Sequence, residues 1–216
     1  MERGLAQLLP QEAPRVLPLL TAYMAEIELF NKTLHLVKVK DRNELIIKHI
    51  LDSLSPLYIL KDLIADIRPS SSVHIADVGS GAGFPGIPLA IALPQCRFTL
   101  IERMGKRADF LRNTLSVLHL ATVAIEQSRM EAAMPGRFDI IVFRALKPLE
   151  PRLVRNLLRL VKPGGVLASY KGRHAKVTEE LETLCTPEFR WTLDPIKVPF
   201  LEEERHLALI RSAPPQ

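Results

Sequence analysis

Apolar positions recur at two different spacings along this chain, and the change of spacing divides it. Between Pro14 and Phe30, Leu17, Leu20, Met24 and Ile27 fall on one helical face. Asp41 with Glu44 reads as an N-cap and its box partner, opening a helix that runs through Leu54, and Ser55-Pro56 opens another that reaches Ile67. From Val73 onward short apolar runs alternate with helical stretches. Strands are expected from Val73 into the glycines at 79, and at 97–101, 121–126, 138–143, 166–170, 191–197 and 206–210. Helices are expected near 85–93, 105–119, 148–161 and 176–185. The gap between the last two strands is too short for a crossover helix, so they should pair antiparallel. Pro69-Ser70-Ser71-Ser72 is the linker-like stretch, which splits the chain into a helical extension, residues 1–68, and an open α/β domain, residues 69–216. There is no internal repeat and no low-complexity segment.

The first strand of the α/β part runs into Asp77-Val-Gly79-Ser-Gly81-Ala-Gly83-Phe84-Pro85. Glycines there allow positive φ and close approach of backbone to a ligand. A dinucleotide fold needs a third glycine where this chain has Phe84, and a phosphate-gripping P-loop needs a lysine that does not occur between Val73 and Leu93. What remains is D-x-G-x-G-x-G, with Asp77 two residues before the first glycine. An acid there is a poor neighbour for a pyrophosphate and a good one for a cationic ligand, which fits the sulfonium S-adenosyl-L-methionine.

The next strand ends at Glu102, about twenty residues beyond the glycines, where a carboxylate can accept both ribose hydroxyls of an adenosine. The third runs into Gln127-Ser128-Arg129-Met130-Glu131 and the fourth ends at Arg144. Polar groups thus gather at the carboxyl ends of the strands, where open α/β sheets bind ligands.

These residues, taken in order, resemble the RsmG (GidB) family of bacterial ribosomal RNA methyltransferases. The resemblance rests on Ala76-Asp77-Val-Gly79-Ser-Gly81-Ala-Gly83-Phe84-Pro85-Gly86, Gly105-Lys106-Arg107 with Phe110-Leu111, Ser128-Arg129, Arg144-Ala145 and Lys171-Gly172. His49-Ile50-Leu51-Asp52-Ser53-Leu54 and Glu204-Arg205-His206-Leu207 add to it, so that it spans about Phe30 to Ile210. It implies a class I S-adenosylmethionine-dependent methyltransferase (Rossmann-like) fold and methylation of a guanine at N7 in 16S ribosomal RNA, naked or in an assembling small subunit. It also implies cofactor contacts at Gly79, Phe84, Met130, Glu131 and Arg144. One departure is Phe30-Asn31-Lys32-Thr33-Leu34-His35-Leu36-Val37, which lacks the later asparagine and threonine of the family's pattern.

Composition changes this picture little. A chain of 216 residues, 47% hydrophobic, can bury one substantial core, and a net charge of +5 suits a polyanionic partner. Cys96 and Cys185 lie far apart with no neighbouring ligand cluster, which argues for reduced thiols and against a metal site. The N-terminus lacks a cationic lead followed by an apolar run and no stretch is long enough to span a bilayer, so a cytoplasmic protein is expected, and separately a monomer.

The strand ends also bear on which atom is methylated. Pyrimidine carbon methylation needs a nucleophilic cysteine, and neither cysteine sits at a strand's carboxyl end. Exocyclic amines are commonly handled by an Asn-Pro-Pro-aromatic turn, where this chain has Arg144-Ala145-Leu146-Lys147. Guanine N7 has a free lone pair and needs alignment rather than a base. Arg144 and Lys171 are the candidates for holding the RNA or the base, by a phosphate or O6 contact. The competing reading of Arg144 pairs it with an acid such as Glu131 to brace the pocket. Arg152, Arg155, Arg159 and Lys162 fall within about 80° on a helical wheel, either a solvated face or, with Lys32, Lys38, Lys40, Arg42 and Lys48, a phosphate-binding surface. His49 and Asp52 form either a polar contact at the catalytic face or a pair that docks the extension. Two other classes compete, a nicotinamide-dependent oxidoreductase and a noncatalytic RNA-binding protein that retains a cofactor pocket.

Overall fold

The computed structural model describes residues 1–67, 72–146, 148–184 and 186–213. The division between residues 68 and 69, and Cys185, lie outside the described residues. The amino-terminal part is helical: α1 (Glu2–Leu8), α2 (Ala13–Leu34), α3 (Arg42–Leu45), a π-helical stretch (Ile46–Leu51), α4 (Asp52–Leu54) and α5 (Leu57–Ile67). Asp41 caps α3 as its sequence predicts, accepting from Glu44 N at 2.8 Å, while Glu44 reaches back one residue further, to Lys40 N.

Strands and helices then alternate: β1 (His74–Val78), α6 (Gly86–Ala92), β2 (Arg97–Ile101), α7 (Gly105–Val117), β3 (Val123–Glu126), β4 (Phe138–Arg144), α8 (Pro151–Leu158), β5 (Val161–Lys171), α9 (His174–Glu182), β6 (Phe189–Ile196) and β7 (Arg205–Ser212). They build one seven-stranded sheet in the order β3-β2-β1-β4-β5-β7-β6. The first five strands are parallel, and β7 runs antiparallel to both β5 and β6, as the short final gap requires.

The central strands are mostly apolar because both faces of the sheet are covered, with Asp77 and Asp139 the buried acids among them. Ile75, Ile140 and Val166 point into one core and Ala76, Ile141 and Leu167 into the other. The first core is shared with the amino-terminal helices, whose Leu5, Val16, Leu20, Tyr23 and Met24 are fully buried in it. Each such aliphatic side chain contributes about 1.5–3 kcal/mol by leaving water. The helices that precede the α/β part are therefore bolted to the sheet, and they bring their π-helical stretch to its carboxyl edge.

Candidate active site

β1 ends against a turn whose glycines answer two different needs. Gly79 and Gly81 both have positive φ, 74° and 59°. At Gly79 the φ itself is the constraint, since the Leu146 Cδ2 that a Cβ would approach to 2.8 Å is the movable end of a side chain. A Cβ on Gly81 would meet nothing closer than 3.9 Å, so this glycine leaves a cradle open beside the backbone. Glu102 lies across the cradle, 4% exposed. Its Oε2 accepts from Gly81 N at 2.9 Å and its Oε1 from Met104 N at 2.8 Å. Each oxygen keeps a lone pair for a further donor, so the carboxylate is held ready for vicinal hydroxyls. This arrangement fits the adenosine of S-adenosylmethionine.

Asp77 lies beneath the same turn. It is fully buried, with Oδ2 accepting from Gly86 N at 2.9 Å and Oδ1 without a partner among the described residues. Burial raises its pKa to about 7, with the Gly86 amide opposing the shift. Through Oδ2 it also ties β1 to the start of α6 and shapes the loop from beneath. Phe84 is also interior, 5% exposed, with its ring centroid 5.3 Å from that of Tyr23 and 5.0 Å from that of His49. Tyr23 braces the same loop by donating to the Ala82 carbonyl at 2.7 Å. Met130 is half-buried and Glu131 exposed beyond β3, and their carbonyls accept from Arg159 Nη2 at 3.0 and 3.1 Å.

A cleft of about 580 Å³ opens at the carboxyl ends of β4 and β5, bordered by His49, Asp52, Arg144, Lys171, Arg173 and Arg205 among others. Arg144 is its hub. Nη1 donates to the Lys48 carbonyl at 3.0 Å and to Asp52 Oδ2 at 2.9 Å, Nη2 lies 2.8 Å from His49 Nδ1, and the guanidinium carbon sits 5.2 Å from the Phe84 ring centre. The expected acid partner, Glu131, is replaced by Asp52, because the amino-terminal helices and not the β3 loop reach this edge. The pairing of His49 and Asp52 is realised through Arg144. Lys171 lines the cleft as expected, but its ammonium is bound to Glu180 of α9.

The basic stripe does not survive as one face. α8 ends at Leu158 and Lys162 belongs to β5, where it pairs with buried Asp139 at 2.7 Å. Arg155 pairs with Glu188 at 2.8 Å and Arg159 holds the 130–131 carbonyls. In the amino-terminal set, Arg42 pairs with Glu28 and Lys48 with both Glu44 and Glu203.

Two cleft residues escaped the sequence reading of chemistry. Arg205 Nε donates to Asp52 Oδ1 at 2.9 Å, and Tyr170 OH donates to the Ser53 carbonyl at 2.8 Å. The signal for Arg205 was present, since the first residue of an antiparallel strand lies at the carboxyl edge of its parallel neighbours. Among the described residues no group of His, Cys, Asp and Glu could hold a metal ion, and no helix is long and apolar enough to cross a membrane.

Sheet order, the glycine turn and the buried acid at the end of β2 together define a class I S-adenosylmethionine-dependent methyltransferase. Solved structures agree on the fold: a SAM-dependent O-methyltransferase from Thermotoga maritima superposes with a TM-score of 0.58 at 14% identity, over 87% of this chain and 71% of that one. An rRNA methylase from Streptococcus thermophilus superposes at 0.52 with 15% identity, over 74% and 97%. The model of the rRNA small subunit methyltransferase G family, GidB, matches residues 17–208, and the chain belongs to that family. Relatives named ribosomal RNA small subunit methyltransferase G are 40% identical in Treponema denticola, over 89% of this chain and 85% of that protein, and 41% identical in Treponema pallidum strain Nichols, over 94% and 90%.

Proposed function

We propose that this protein transfers the methyl group of S-adenosylmethionine to N7 of a guanine in small-subunit ribosomal RNA, as a cytoplasmic monomer. What supports the reading is the open space at Gly81 beside Glu102, on the same sheet edge as a cleft rich in arginine and lysine, in a chain of this family. The cofactor, when bound, supplies an electrophilic methyl group on its sulfonium. Gly79, Gly81 and Glu102 would hold its adenosine part, with Met130 and Glu131 beyond β3 the candidates beside the adenine.

The protein's share of the work is alignment and exclusion of water. Guanine N7 presents its own lone pair, so no residue must remove a proton before transfer, and positioning alone can contribute several kcal/mol. The titratable groups around Arg144 fit that economy. Asp52 has both oxygens engaged by arginines, Lys171 is held by Glu180, and His49 Nδ1 is directed at Arg144. Arg173 and Lys176 are exposed at the rim and have no acid within ion-pair distance among the described residues, although Lys176 lies near enough to Glu180 to lower its pKa, which leaves both for phosphates.

The test supplies purified protein with methyl-labelled S-adenosylmethionine and with small-subunit RNA, either naked or within subunits, from cells lacking the gene. Label in RNA supports the reading and also tells which form is the substrate. Absence of label from both, with cofactor binding intact, favours the noncatalytic RNA-binding alternative.

A further inference from the structure

His49 occupies the π-helical stretch between α3 and α4, a backbone form that is rare and frequent at functional sites. A guanidinium can only donate, so the imidazole Nδ1, 2.8 Å from Arg144 Nη2, must be the acceptor. The ring hydrogen is thereby fixed on Nε2. Phe84, with its ring centre 5.0 Å away, packs against the imidazole and limits its tilt. Burial, reinforced by the Arg144 charge, lowers the His49 pKa to about 4, so this neutral tautomer persists through the physiological range. Nε2 has no partner among the described residues, and His49 borders the cleft.

We propose that the Nε2–H of His49 donates a hydrogen bond to O6 of the target guanine and thereby selects guanine over adenine, an assignment that rests on the guanine-N7 reading above. Guanine presents an acceptor at O6, whereas adenine presents an amino donor at the same place, which would meet the His49 donor head on. N7 is adjacent to O6 on the same edge of the base and must keep its lone pair for the incoming methyl. A fork of donors spanning both atoms would block that lone pair, and a single fixed N–H aimed at O6 does not. Arg144, whose Nη1 is committed to Lys48 and Asp52, acts here as a positioning residue that sets the His49 tautomer.

The test pairs an atom removed from the base with an atom removed from the protein. Small-subunit RNA is assembled by ligation with either guanosine or 2-aminopurine riboside, which lacks O6 and keeps N7, at the position the wild-type enzyme methylates. kcat/KM is measured on both RNAs for wild type, His49→Asn and His49→Gln, each checked for its melting temperature. Asparagine keeps a polar group where Nδ1 stood and removes the outer donor, while glutamine restores a donor near Nε2. Wild type should prefer guanosine by about tenfold or more. That preference should fall towards one in His49→Asn and return in His49→Gln. An equal loss on both RNAs in folded His49→Asn, or a wild type indifferent to O6, overturns the proposal, and the second result needs no variant at all. A wild type that methylates no guanine N7 overturns the function reading first, and this inference with it.

Discussion

Asp52 and Arg144, 92 positions apart in the chain, meet at 2.9 Å with side chains 6% and 18% exposed. The second oxygen of Asp52 takes Arg205 Nε, so one carboxylate from the amino-terminal helices clamps the ends of β4 and β7. Removing it would leave two arginines facing each other at a largely buried site. Asp52→Ala should cost about 3–5 kcal/mol, read as a lowered denaturant midpoint, and Asp52→Asn clearly less. A midpoint unchanged in Asp52→Ala would show that the clamp does not hold the helices to the sheet.

Glu102→Ala removes the carboxylate that fixes Gly81 N and Met104 N as well as the acceptor for ribose hydroxyls. Affinity for S-adenosylmethionine should fall by about 1–3 kcal/mol, roughly five- to 150-fold by isothermal titration. Gly81→Val should bind at least as poorly, because a branched side chain resists φ of 59° and fills the cradle. Unchanged affinity in both folded variants would move the adenosine site elsewhere.

Two opposing titrations shape stability against pH. Asp77, raised to about 7 by burial, keeps its proton in the folded state above the pH where the unfolded chain has lost it. Its contribution is fully present below about pH 4 and is lost as pH rises through 7. His49 and His74, both lowered to about 4 with burial the main cause, behave oppositely: their contribution is present above about 6.5 and lost as pH falls towards 4. In wild type the two trends offset each other between pH 4 and 6.5. Asp77→Asn should therefore show a steeper loss of melting temperature on acidification across that window. Parallel curves for variant and wild type would mean that Asp77 titrates normally.

Much of the fold was legible because its pattern is local. Alternating apolar runs, the D-x-G-x-G-x-G turn and the short final gap give the strands, the crossover helices and the antiparallel pair without any tertiary information. The helix ends were less legible. α8 stops at Leu158 because the chain is already entering β5 at Val161, and that early entry takes Lys162 off the helix face. The Arg144 partner was hidden for another reason. Glu131 is near in sequence, yet 92 residues separate Arg144 from Asp52, and only the docking of the helical extension on the first core brings them together. The spacing of Asp77 before the glycines suggests a neighbour for a cationic ligand, but its full burial and raised pKa depend on the packing around it and are not legible from the motif.

Arg173 and Lys176 at the cleft rim are the cations left for phosphates. Arg173→Gln and Lys176→Gln should each weaken RNA binding at every sequence and reduce the log–log salt slope by roughly 0.7–0.9 for each phosphate no longer neutralised. Arg155→Gln should leave the slope nearly unchanged, since that guanidinium is engaged by Glu188. The opposite ranking would return the phosphate surface to α8.

The central claim is most directly tested by the atom that receives the methyl group. Small-subunit RNA from cells lacking the gene is incubated with the protein and S-adenosylmethionine, digested to nucleosides and analysed by mass spectrometry against authentic methylguanosines. The expected result is 7-methylguanosine at about one per RNA molecule, sharply reduced when Glu102→Ala replaces the wild type at limiting cofactor. A methyl group on an exocyclic amine, a pyrimidine carbon or a ribose hydroxyl would contradict it.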